Sequence, residues 1–205
     1  DKLQRAAGSM DEEGQQNIKK IEALLNNYGE GFSQVEALQF SIDTAVAERL
    51  NILGPSIRLN LHNIMEGAFE AGDLTAVYHA GGAIELYMAS WVSAQQFLVT
   101  NEQQHAIKAA EELSALEITL NDLYESIEGI GSDDLLNSAD LVIRDLVDFD
   151  TVFKSVVEAT TQRNLLLEEN VFSVGGQLVR DLSAIVMNIE QLSDCLLYTS
   201  PSPRD

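Results

Sequence analysis

Cysteine is nearly absent from this chain: the one residue, Cys195, lies close to the C-terminal end. The rest of the chain therefore has no thiol, which is compatible with an oxidising compartment but common elsewhere. Proline is almost as scarce, and thirteen glycines with few consecutive β-branched residues favour helix over sheet. Basic residues are few, 12 against 33 acidic ones, for a net charge of −21 and a pI near 4.2. That balance excludes nucleic-acid binding, which needs a basic footprint to displace counterions. It would draw small cations, and small anions would need a local basic pocket; the same acidity also serves solubility alone. No apolar run approaches the ~18 residues of a membrane span. The chain also lacks a glycine-rich phosphate loop, a Cys-x-x-Cys pair and a nucleophile elbow. With no convergent titratable groups either, an enzyme is not expected, nor is a cofactor.

What the chain does have is an internal repeat. Leu53-Gly54-Pro55-Ser56-Ile57-Arg58-Leu59-Asn60-Leu61 returns 121 residues later as Val174-Gly175-Gly176-Gln177-Leu178-Val179-Arg180-Asp181-Leu182. The same offset, without a gap, pairs Leu25 with Leu146, Tyr28 with Phe149, Phe32 with Phe153 and Val35 with Val156. One unit has been used twice.

Hydrophobic residues make up 45% of the 205 positions, enough for a core. From Ile18 through Ile21, Leu25, Tyr28, Phe32, Val35, Ile42, Val46, Leu53, Ile57, Leu61 and Ile64 they recur in steps of three and four, one buried stripe on a helix. Gln39 and Arg49 interrupt it. Unbroken to Ala71, this helix would be about 90 Å long at ~1.5 Å per residue. Gly72-Asp73 is a stop followed by a cap. A short helix is expected over 74–99. Thr100 and Gln103 then form a capping-box pattern opening a second short helix over 102–128. Gly129-Ile130-Gly131-Ser132 ends that one, with Ser132 as N-cap of a last long helix from Asp133 to Asp194.

The expected fold is all-α: two stacked helical bundles sharing the two long helices, each with one short helix of its own. One bundle would take 10–45, 102–128 and 133–165, the other 46–99 and 166–194. At the 121-residue offset a second copy of 74–121 should precede Asp1, so the complete unit would be a pair of four-helix modules and this chain would show three-helix bundles with an apolar groove. Asp1 is not an initiator methionine, and both ends are expected to be cuts in a longer chain. Residues 195–205 abandon the helical period, hold Pro201 and Pro203, and resemble a translated sequencing adapter; they are set aside as a non-native tail.

Leu53-Gly54-Pro55-Ser56-Ile57, Gly67 to Ala71 with Gly72-Asp73, Tyr78-His79-Ala80-Gly81 and Met88 through Leu98 together resemble the helical bimodular sensor domain. Tyr124 to Ile189, with Gln162-Arg163-Asn164, agrees, so the likeness covers about 11–194. That family is the extracytoplasmic part of bacterial methyl-accepting chemotaxis receptors and of some sensor histidine kinases. The resemblance implies two stacked four-helix modules in the periplasm, held at the inner membrane by flanking transmembrane helices and paired as a homodimer. It also implies a small-molecule ligand, an organic acid or an amine, signalled through the last helix. Family members often carry an arginine on the short helix of the membrane-proximal module. Here the matching segment, Tyr87 to Gln95, has Trp91 near that place, and no arginine occurs between Arg58 and Arg144.

Reflection about the turn at 72–73 sets Trp91 level with Gly54 and Tyr87 level with Arg58. An aromatic wall opposite a bare glycine would take a cationic amine by cation–π attraction, or the two rings simply fill the space. Arg58, His62 and Arg180 offer donors for a carboxylate, or belong to a solvated face. Glu102 and His105 match the Glu-x-x-His spacing of di-iron bundles in a single copy, without partners from His62 or His79, so no metal site is expected. Pro55 has no amide hydrogen and Gly175-Gly176 is poor helix, so a kink is expected at Gly54, Pro55, Gly175 and Gly176. The reading is a sensory binding module; the alternatives are a histidine-kinase sensor domain and a ligand-free helical spacer or adaptor.

Overall fold

The apolar stripes of the sequence become helices joined by three tight reversals. The computed structural model describes residues 12–198, and the side chains of 14–187. In chain order come α1 (Glu12–Ala45), a π-helical stretch (Val46–Leu50), α2 (Asn51–Glu70), α3 (Leu74–Thr100), α4 (Gln103–Ile130), α5 (Asp133–Leu166), a second π-helical stretch (Leu167–Ser173) and α6 (Val174–Tyr198). No strand occurs among the described residues, and the all-α class holds.

Each reversal uses a residue in the left-handed region, which a glycine or an asparagine adopts with little strain. Gly72 (φ 77°) leads to Asp73, whose carboxylate accepts the N–H groups of Thr75 at 3.0 Å and Ala76 at 2.9 Å. Asn101 (φ 57°) ends α3, and its N–H donates to the Phe97 carbonyl. This displaces the expected capping box. The Thr100 hydroxyl accepts the Glu102 N–H at 3.2 Å and donates to the Gln96 carbonyl, and the next helix begins only at Gln103. Gly131 (φ 71°) ends α4, and the Ser132 carbonyl accepts the Leu136 N–H.

The chain divides into two compact units, Leu38–Thr161 and the remainder. The partition differs from the one expected. Both short helices lie in the first unit, with the end of α1, α2 and most of α5. A reversal of two or three residues lays each helix back along the one before it, so α4 returns along α3 and cannot run on to a second bundle. Small residues bring α3 and α4 together. Buried Ser90 donates to the Ala109 carbonyl at 3.2 Å, Ser93 donates to the Glu112 carboxylate at 2.8 Å, and Ala83, Ala94, Ala106 and Ala109 of the two helices are buried. The result is a four-helix bundle in place of three helices and a groove. Its core joins Ile57, Leu61 and Ile64 of α2, Tyr87 and Phe97 of α3, Leu116 and Leu123 of α4, and Phe149, Phe153 and Val156 of α5.

The second unit is an antiparallel pair formed by the first part of α1 and the chain from Gln162 onward. Lys20 lies 2.9 Å from Asp181, Tyr28 sits beside Gly175, and Gly31 lies against Asn170, so rising numbers on one helix meet falling numbers on the other. A Cβ on Gly31 would fall 2.6 Å from Cβ of Asn170, an approach only glycine permits. Ile18 and Ile21 face inward with Val171 and Leu178.

Helical structure carries on past the positions where kinks are expected. α2 is continuous through Gly54 and Pro55, and α6 through Gly175 and Gly176. The irregularity lies one turn upstream, in the π-helical turns at Val46–Leu50 and Leu167–Ser173. There the Asn51 N–H reaches back to the Val46 carbonyl, one residue beyond the α pattern. Both stretches begin at positions 121 residues apart, so the repeat extends to the hydrogen-bond register. A π turn takes up one extra residue, and the inward-facing positions show it. Ile42, Val46, Leu50 and Gly54 follow in successive steps of four, as do Leu167, Val171 and Gly175. Arg49 leaves the stripe for solvent and pairs with Asp148 at 3.5 Å, while Leu50 takes the inward place.

The last helix continues to Tyr198, so residues 195–198 of the tail carry on its helical backbone; residues 199–205 and the N-terminal stretch 1–11 lie outside the described residues. No described helix is long and apolar enough to cross a membrane.

Phe153 stacks on Phe149 at 6.2 Å and meets Phe97 edge-on at 5.9 Å inside the bundle. Phe153→Ala is expected to lower unfolding free energy by about 3–5 kcal/mol in urea titrations. Leu59→Ala, on an exposed face, should cost less than about 0.5 kcal/mol.

Candidate functional site

The helices set Gly54 opposite Trp91, the level at which sequence reflection places them. The glycine lacks a side chain, and the indole fills the space. A Cβ there would lie 2.7 Å from Cη2 and 3.0 Å from Cε3 of the ring. Trp91 leans in turn on Phe149 at 5.8 Å, and Phe149 meets Tyr87 edge-on at 6.4 Å.

Tyr87 is 1% exposed, and its hydroxyl donates to the Gly54 carbonyl at 2.8 Å. The bond ties α3 to the peptide that joins Gly54 to Pro55. Burial pushes the Tyr87 phenol well above its ordinary value near 10, against a smaller pull downward from the Arg58 guanidinium. The group is a neutral donor fixed in the core.

The basic residues are distributed differently. Arg58 is exposed on α2, close enough to Tyr87 for its charge to be felt. His62, one turn on, pairs with Glu66 of its own helix at 3.3 Å. Arg180 is exposed on α6, in the other unit, so it is not grouped with them. Gly175 and Gly176 also lie there, with Tyr28 as neighbour of Gly175 where Gly54 has Trp91. Glu102 and His105 pair with each other at 3.3 Å, His79 packs edge-on against Tyr78, and no group of three or more His, Cys, Asp or Glu able to hold a metal lies among the described residues.

Two polar sites were missed in the sequence. In the bundle, Asp145 is 5% exposed on α5 and accepts from the Ser56 hydroxyl at 2.7 Å and from Arg144 at 2.9 and 3.2 Å. Asn60 donates to the Ser56 carbonyl, closing a network one residue beyond Pro55. The repeat held the signal: Asp145 stands where the other copy has Leu24, an acid in place of an apolar residue. Beside this network is an open recess of about 360 Å³ lined by Asn137, Asp140, Leu141 and Arg144. The negative charge of Asp140 also raises the pKa of the Tyr124 phenol. In the other unit a small open cleft of about 70 Å³ is lined by Asn17, Lys20, Ile21, Asp181, Ala184 and Ile185.

Compared with family models, curated proteins and solved structures, the chain matches none.

Gly54→Ala is expected to force the indole outward, destabilising the bundle by about 1–3 kcal/mol and red-shifting the emission of the single tryptophan. Because the folded-state pKa of Tyr87 is raised, its contribution is present below the unfolded value near 10 and is lost as pH rises toward the folded value. Stability measured from pH 8 to 11 should therefore fall on the alkaline side. Tyr87→Phe should flatten that fall while costing about 1 kcal/mol at neutral pH.

Proposed function

We propose that this chain is a non-enzymatic sensory module, the periplasmic small-molecule-sensing part of a bacterial chemoreceptor held at the inner membrane. The observation that carries the reading is the pair of π turns at repeat-equivalent places in otherwise continuous helices. A π turn holds one residue more than an α turn demands, and such insertions recur at functional sites. Moving or removing the extra residue rotates every side chain beyond it by about 100°. That is a discrete two-state element of the kind a ligand can bias, provided it binds the two helix arrangements with different affinity. The first π turn lies just upstream of Pro55, which has no N–H to offer the carbonyl one turn back, and of Ser56 with its bond to Asp145.

An organic acid fits the residues better than an amine. Tyr87 is buried and committed to Gly54, and one face of Trp91 is occupied by the same glycine, leaving little aromatic wall for a cation. Arg58 presents its guanidinium at the surface. A sensor kinase would use the same module with a different output. The spacer reading draws on the filled space over Gly54, where a ligand-free bundle has no use for a cavity.

A thermal-shift series with small organic acids and with amines, each at millimolar concentration, separates these readings. Organic acids are expected to raise Tm by at least about 2 °C, and Arg58→Ala to abolish the rise. A shift from amines alone would move the site to Trp91. Silence from both classes leaves the spacer.

A further inference from the structure

On α5 an acid precedes a base by four residues, Asp140 and Arg144, the order in which such side chains ordinarily pair along a helix. Here they do not pair. Arg144 is held instead by Asp145, at 2.9 and 3.2 Å, and that buried carboxylate is in turn bonded to Ser56 of α2. Arg144 is thus drawn toward α2, while the charge of Asp140 acts on the α4 side, at Tyr124. Between these two charges lies the recess of about 360 Å³, with Leu141 as its apolar part and Asn137 beside it. That volume falls within the ~300–1,000 Å³ of small-ligand sites. The repeat does not demand the arrangement: the other copy has Lys19, Ala23 and Leu24 where this one has Asp140, Arg144 and Asp145.

We propose that this recess is a binding site for a free α-amino acid, with the ligand carboxylate on Arg144 and the ligand ammonium on Asp140. A guanidinium holds a carboxylate through paired N–H donors. Asp145 takes those on Nε and Nη2 of Arg144, which leaves the Nη1 edge for a ligand. Both charges of the ligand are needed. A simple anion on Arg144 would lie against Asp140, and a simple cation on Asp140 would lie against Arg144. An α-amino acid carries the two charges on neighbouring groups and meets neither repulsion. Asn137 can donate to the carboxylate or accept from the ammonium, and Leu141 favours an aliphatic side chain. Asp145, buried and bonded to Ser56, fixes the guanidinium in place. The site is separate from Arg58, whose charge acts on Tyr87 of α3, so the inference does not rest on the organic-acid reading.

Backbone-amide NMR on the isotope-labelled full chain, titrated with L-leucine and with L-alanine to about 10 mM, is the test. Saturable shifts are expected over residues 137–144, with a dissociation constant of about 1 mM or tighter for L-leucine. Isocaproate, which lacks the amine, and isoamylamine, which lacks the carboxylate, should each bind at least about 10-fold more weakly. Asp140→Asn and Arg144→Gln should each weaken L-leucine binding by the same factor, and Arg58→Ala should leave it unchanged. Arg144→Gln strips the buried Asp145 of its cation; if that variant unfolds, Asp140→Asn, at an exposed position, decides the matter. Four results would each overturn the proposal: no saturable shift from either amino acid, shifts centred elsewhere, analogues that bind as well as L-leucine, or full affinity in Asp140→Asn. Loss of L-leucine binding in Arg58→Ala would overturn it too, by moving the site to Arg58.

Discussion

A polypeptide that turns back on itself within two or three residues has no freedom in where its next helix goes. The left-handed residues Gly72, Asn101 and Gly131 impose that condition three times. From it follows the up-down-up-down order of the bundle and the enclosure of both short helices on one side of residue 161. Side chains answer to that arrangement. Serines and alanines occupy the narrow seam between α3 and α4, and aromatic rings fill the wider space between α3 and α5. Helix spacing varies with side-chain size, and residues are sorted accordingly.

Within the bundle, one level combines three departures from ordinary helical packing. A glycine lets an indole approach the backbone, a buried phenol bonds to a helical carbonyl, and a proline follows in the next position. The buried carboxylate of Asp145 reaches the same stretch from α5 through Ser56. A hydroxyl and a guanidinium satisfy it, which is the condition under which a carboxylate is tolerated in a core. Specificity at this level comes from polar groups with directional hydrogen-bond partners, whereas leucine and isoleucine side chains are less particular.

Much of this was legible beforehand. The stripes, the Gly72-Asp73 stop, the Gly131 stop and the pairing of Gly54 with Trp91 all follow from local rules, because turn chemistry and helical rise act over a few residues. The partition of helices was not legible from the stripes, since periodicity tells which face is buried but not against which partner. The direction of each reversal did contain that answer, and Asn101 was the residue to weigh: its left-handed conformation ends one helix and aims the next. The π turns escaped for a related reason. Counting steps of three and four tolerates an added residue, and only the run of consecutive fours from Ile42 to Gly54 betrays it. Of the candidate residues, Tyr87 and Trp91 both lie beside Phe149 in the bundle, and Arg180 fell in the other unit because a repeat sets its equivalent residues in separate copies and not in one place.

The matched π turns also bear on the repeat itself. An extra residue inserted independently in two helices would have little reason to begin at the same offset in both. Its presence at Val46 and again at Leu167 is what an insertion copied along with the repeat would leave. One copy lies in a bundle and the other in a bare hairpin, with different neighbours at nearly every level. The widened turn is common to both surroundings, while Pro55 stands opposite Gly176 and Asn60 opposite Asp181 beside it. What the two copies share is thus the helix register, and what differs between them is the side chains around it.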